Sequence, residues 1–179
     1  TAFRAAYEKT PPQAFRSDVR WRKDLASVSS LIGKAKKELD GGSTKHAHET
    51  LEKVRVLWLE MRTRGGATAF GDLLTRYHEP MEAATLRVAG KAPDTLTAAD
   101  IAALRRIERE LKQYWRPVLT APSKTLDPDA ATRRAALIKQ ESDAMEALAL
   151  ALSAGERAAI LQAARGLKAP LAKLYMEFG

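Results

Sequence analysis

Apolar residues recur in this chain at alternating steps of four and three, and no other feature constrains its fold as strongly. Trp21, Leu25, Val28, Ile32, Ala35 and Leu39 form one set, and Phe70, Leu74, Tyr77, Met81, Ala84 and Val88 keep the same spacing. Ile160, Ala164, Leu167, Leu171, Leu174 and Phe178 repeat it near the C-terminal end. A seven-residue repeat puts one apolar stripe along each helix, and helices bury such stripes by packing at shallow angles. No period-two alternation competes with it. The pattern predicts an all-α fold: an antiparallel up-and-down helical bundle of four principal helices with additional packed helical segments.

The punctuation between stripes fixes the expected order of elements. Residues 1–16 read as an N-terminal arm that holds Phe3, Tyr7 and Pro11-Pro12, and residues 17–179 read as a single helical-bundle domain. A first helix is predicted from Ser17 to Asp40, stopped by Gly41-Gly42, and a second from Ser43 to Gly65-Gly66 with the stripe Ala47, Leu51, Val54, Trp58 and Met61. A third spans Ala67 to Ala89. Thr97-Ala-Ala-Asp100 has the form of a capping box, in which hydroxyl and carboxylate satisfy each other's backbone N–H groups. It opens a fourth helix with the stripe Leu104, Ile107, Leu111, Tyr114 and Val118. Asp127-Pro128 supplies an N-cap and a first-turn proline for a fifth. Ser153-Ala-Gly-Glu156 reads as a second capping box that starts a sixth helix. Pro80, Pro117 and Pro170 fall inside helical segments, where each removes a hydrogen bond and crowds the carbonyl four residues back.

Composition excludes several chemistries. The 179 residues contain no cysteine, so there is no disulfide, thiolate catalysis, Cys-bound zinc or haem held through cysteines. No apolar run approaches the ~20 residues of a membrane span. The formal charge is +8, which suits acidic partners. The basic residues are dispersed, however, and most alternate with Glu or Asp off the stripes. A solvated helix surface is therefore favoured over a nucleic-acid footprint. The chain starts at Thr1 rather than Met, as expected of a processed or trimmed product; a removed signal peptide is one explanation.

Chemistry concentrates where the stripes are interrupted. Tyr77-His78-Glu79-Pro80-Met81-Glu82 is the densest segment. His78 and Glu82 are four apart and share a helix face, so with Met81, His46 and His48 they form a candidate transition-metal ligand set. Solvated or hydrogen-bonded histidines are the plainer alternative. Glu141 lies on the fifth stripe with Ile138, Met145, Leu148 and Leu152. A carboxylate there needs a partner, for which Arg55, Arg165 or a histidine are available, or its pKa rises; alternatively the stripe drifts and leaves it at an edge. Tyr77, His78, Trp58 and Glu141 are the candidate ligand-binding residues. No phosphate loop, Gly-x-Ser-x-Gly elbow, His-Glu-x-x-His or Ser-His-Asp arrangement is present.

The C-terminal segment Leu167-Lys-Ala-Pro-Leu171-Ala-Lys-Leu174-Tyr175-Met-Glu-Phe178 resembles the last helix of cytochrome c′ and cytochrome b562-type four-helix bundles. In cytochrome c′ that helix carries Cys-x-x-Cys-His. The matching positions here are Leu171, Leu174 and Tyr175, so the haem motif is missing. The resemblance implies a similar bundle of a kind often exported to the periplasm, without covalent haem.

The expected function is thus a non-catalytic, exported, periplasmic helical-bundle protein that binds an unidentified protein partner or small-molecule ligand through a groove near Tyr77, His78 and Trp58. A cytoplasmic location and pairing of two copies stay open. The alternatives are a metal- or haem-handling bundle with histidine and methionine ligands, and a basic nucleic-acid-binding helical protein. An enzyme has no constellation here to support it.

Overall fold

The structure is a computed structural model that describes residues 6, 7, 9–123 and 126–179. Residues 1–5 of the arm, Phe3 among them, lie outside the described residues. All regular structure among the described residues is helical, as the stripes predict: α1 (Trp21–Asp40), α2 (Thr44–Arg64), α3 (Phe70–Arg87), α4 (Ala98–Leu119), α5 (Pro128–Ala154), α6 (Arg157–Gly166) and α7 (Lys168–Phe178). Single 3-10 turns occur at Gln13–Phe15 and Pro93–Thr95. The architecture is an all-α helical bundle. No helix among the described residues is long and apolar enough to cross a membrane.

The chain divides into two compact units, one ending at Ala69 and one running from Phe70 to Gly179. The stripes alone suggest one domain over 17–179. They show that a helix has an apolar face but carry no information on which helix covers it, and here two separate cores form.

The first unit is a helical hairpin. α1 ends at Gly41, as predicted, and α2 ends at Gly65. Phe15, Trp21, Leu25, Val28 and Met61 form its core, with Val54, Leu57 and Trp58 partly buried against them. The Phe15 and Trp21 rings stack at 4.6 Å. Gly65 is needed where it stands, because a Cβ there would lie 2.5 Å from the Phe15 ring. Arg64 ties the hairpin further by pairing with Asp18 and Asp24. The basic excess of the chain sits mostly in this unit. Residues 1–69 carry 14 Lys and Arg against 8 Asp and Glu, whereas residues 70–179 carry 16 against 14.

The second unit closes a ring of four rods, with α3 packed on α4, α4 on α5, α5 on α6 and α7, and α7 back on α3. Leu74, Tyr77, Leu104, Leu111, Leu148, Leu171 and Leu174 line its interior. On α4 the stripe drifts by one residue: Trp115 is buried and Tyr114 is on the surface. A straight helix with 3.6 residues per turn slips against a repeat of seven in this way. Pro80 and Pro117 are carried inside α3 and α4 without ending them.

The helix starts follow their caps unevenly. At α4 the predicted capping box is present: the Asp100 N–H donates to Thr97 Oγ1 at 3.1 Å and the Thr97 N–H to Asp100 Oδ2 at 3.0 Å. Lys91 at 2.5 Å and the Thr97 hydroxyl hold the Asp100 carboxyl well below the usual carboxylate range. Asp127 caps α5 through the Ala130 N–H, with Pro128 in the first turn. The second predicted capping box does not form. Ser153 belongs to the end of α5, and the chain reverses at Gly155, whose φ of +76° only glycine adopts without strain. Its N–H closes on the Ala151 carbonyl, so the glycine stop overrides the Ser-x-x-Glu pattern. The predicted sixth helix is also divided at Leu167, with Pro170 in the first turn of α7, where a missing N–H costs least.

Thr97→Ala removes the hydroxyl half of the α4 box. Urea denaturation should show about 1 kcal/mol less unfolding free energy, with the helical circular dichroism of the native state unchanged.

Candidate functional site

Two buried stripes bring the chemistry of the second unit together. Tyr77 on α3 and Glu141 on α5 are 64 residues apart, and the Tyr77 hydroxyl donates a hydrogen bond to Glu141 Oε1. Both side chains have no exposed surface. Glu141 is therefore buried on its stripe rather than left at an edge, and none of the partners suggested for it is used. Arg165 donates instead to the carbonyls of Lys91 at 2.7 Å and Val88 at 3.3 Å, and Arg55 pairs with Glu52. A neutral hydroxyl takes the place of a cation.

The electrostatics follow from that choice. Burial pushes the Glu141 carboxyl up to about 7, against the opposing pull of the Tyr77 hydroxyl and the Leu171 backbone amide. Burial and the adjacent carboxyl push the Tyr77 phenol far above its ordinary range. Glu141 Oε2 is buried with no hydrogen-bond partner among the described residues. Trp115 of α4 completes the cluster: its ring lies 4.7 Å from that of Tyr77, and its indole N–H donates to Ser142 Oγ at 2.9 Å. The cluster is two hydrogen bonds, Tyr77 to Glu141 and Trp115 to Ser142, joined by the ring contact of Tyr77 and Trp115, in a surround that disfavours the charged form of the carboxyl.

The remaining candidates are distributed over both units. Met81 packs in the second unit's core, and His78 and Glu82, one turn apart on α3, are half-buried. His46, His48 and Trp58 belong to the first unit. The His46 ring lies 2.6 Å from the Ser43 hydroxyl, and His48 lies 3.5 Å from Glu52 one turn along α2. Trp58 carries the Arg62 guanidinium 5.8 Å over its ring. Among the described residues no group of three or more His, Asp or Glu side chains is arranged to hold a metal ion.

A surface feature escaped the sequence reading. A groove of about 560 Å³ runs between α5 and α6, walled by Ala144, Ala147, Ala151 and Ala154 on one side and Ala159 and Ala163 on the other. Leu150 stands at its rim, 65% exposed. Glu156 is its one charged lining residue. The signal was available: 144, 147, 151 and 154 keep the four-three spacing one position away from the core stripe of α5. Small residues there leave a channel where larger ones would have filled it. A second, polar cleft of about 480 Å³ is lined by Arg105, Arg109 and Lys112 of α4 and by Ser153. Its charges are partly spent, since Lys112 pairs with Glu108 and Arg105 donates to the Leu152 carbonyl at 3.1 Å.

Comparison of the chain with protein-family models, curated proteins and solved structures gives no match.

Tyr77→Phe removes the one side-chain donor to Glu141 among the described residues and leaves a buried carboxyl without it. Thermal melts and urea titration should show a loss of about 1–3 kcal/mol, greater above neutral pH, where the carboxyl is charged, than below it.

Proposed function

We propose that this protein is a non-catalytic binding bundle that takes up an apolar ligand or partner segment in the groove between α5 and α6. The observation that carries the proposal is the groove itself: an open concavity of about 560 Å³ lined by alanines, with one charged residue at its edge. Binding sites for small apolar groups commonly have volumes of roughly 300–1,000 Å³ and mostly hydrocarbon walls. The alanine methyls let an inserted side chain or ring approach the helix backbones closely, and the exposed Leu150 adds apolar surface to the lining. This moves the binding surface from the neighbourhood of Tyr77, which is sealed in the core, to the outer face of the α5–α6 hairpin. The periplasmic setting is part of the same proposal. It rests on the likeness of the C-terminal segment to exported cytochrome c′-type bundles.

The groove is tested with the dye 1-anilinonaphthalene-8-sulfonate as an apolar probe. Its fluorescence should rise saturably at one site per chain. Ala147→Trp, which puts a bulky ring into the groove from its α5 wall, should weaken binding about tenfold, corresponding to ~1.4 kcal/mol. Fluorescence that fails to saturate, or equal binding by wild type and a folded Ala147→Trp, would remove the groove as the site.

A further inference from the structure

The groove between α5 and α6 has hydrocarbon walls and a single charge. Alanines, Leu150 and Gly166 make up most of its lining, Gln162 is a neutral polar side chain within it, and Glu156 is the charged one. Glu156 directly precedes α6, at the corner where Gly155 turns the chain, so its carboxylate marks one end of the groove.

The fold does not use that carboxylate. Glu156 is exposed and makes no side-chain hydrogen bond to the N–H groups that open α6. Among the described residues it forms no ion pair. The cations around the corner are directed elsewhere. Arg105 of α4 donates to the Leu152 carbonyl at 3.1 Å, and Arg165 of α6 donates to the carbonyls of Lys91 and Val88. Arg157 is the next residue, but adjacent residues on a helix do not share a face. The helix ends leave no net charge of their own. α5 brings the negative end of its dipole to the corner and α6 brings the positive end, each equivalent to roughly half a charge. The two offset, and the carboxylate is the uncompensated charge of the groove.

From this arrangement we infer that the groove selects a small cationic amphiphile, with an apolar chain or ring lying along the alanines and an ammonium head beside Glu156. The inference rests on the groove being the binding site and names what it takes. Size favours a small molecule over a partner helix. Two turns of helix, taken as a cylinder 10 Å across, have a volume of roughly 850 Å³. The groove offers about 560 Å³, and α6, which forms one wall, has ten residues. An alkyl chain follows such a wall for its whole length of about 15 Å. Charge then separates ligands of equal size. The carboxylate attracts a cationic head, is indifferent to a neutral one and repels an anionic one.

Three probes with one chain and different heads test the inference: octyltrimethylammonium, 1-octanol and octyl sulfate. Each is titrated below its micelle concentration into the ¹⁵N-labelled full chain in about 0.15 M salt, where long-range attraction is screened. Affinities are read from the amide shifts of Ala147, Ala151 and Ala163. The ammonium probe should bind about threefold more tightly than the alcohol, and the sulfate about threefold more weakly. Glu156→Gln should remove the ammonium's advantage. Glu110→Gln, the same charge change on the exposed surface of α4, should keep it. Equal affinities for the three heads, tightest binding of the sulfate, or equal effects of the two substitutions overturn the cationic preference. If Ala147→Trp still weakens all three probes in that case, the groove stands as the site. Failure of any probe to give saturable shifts at the groove overturns both readings. Shifts of the same amides with protein concentration alone, accompanied by a dimer in sedimentation, give the groove to a second copy and also overturn the inference.

Discussion

Exclusion of water by the facing stripes of α3, α4, α5 and α7 is the condition on which the other properties of the second unit depend. Leu104, Leu111, Leu148 and Leu174 have no exposed surface, and Leu171 has almost none. Burial of such side chains contributes about 1.5–3 kcal/mol each before entropy is counted. The same dryness turns an ordinary glutamate into a group that titrates near neutrality and makes a tyrosine hydroxyl an adequate partner for it. In water that hydroxyl would be one donor among many. Among the described residues it is the side chain that tempers the cost of the carboxyl.

How much of this could be read beforehand depended on the range of the interaction concerned. The all-α class was legible because a stripe is a local property: Leu74, Tyr77 and Met81 declare their face whatever covers it. The Thr97-Asp100 box and the Asp127-Pro128 start were legible for the same reason, each being decided within four residues. Ser153-Glu156 was misread because two local signals overlapped, and the left-handed preference of Gly155 outweighed a side-chain cap. The Tyr77–Glu141 pair was half legible. Position on the stripe said that Glu141, if buried, would need a partner or a raised pKa, and left an edge position open, but nothing within reach along the chain said that the partner would be residue 77. The division near Ala69 was likewise silent, since it depends on which stripes find each other.

The two units are held by different means. The first rests on a small aromatic cluster, in which Phe15 and Trp21 stack beside a glycine that makes room for them, and on Arg64 bridging two aspartates. The second has a hydrocarbon interior with the Tyr77–Glu141 hydrogen bond buried within it. The uneven charge follows the same division. A hairpin offers little interior relative to its surface and can be heavily decorated with lysine and arginine, whereas a four-rod ring must keep more of its sequence apolar.

The reversal at Gly155 has a consequence for the order of assembly. α5 and α6 are joined by two residues, so bringing their facing positions together closes a very short loop and forfeits little chain entropy. Contacts of that kind form early and reform quickly after a fluctuation. The hairpin that bears the alanine groove is then the cheapest part of the second unit to nucleate. The pairing of α3 with α7 spans most of that unit's length and must wait until the intervening rods are in place. The first contacts to form would thus be those that shape the groove, and the last would be those that bring α7 onto α3.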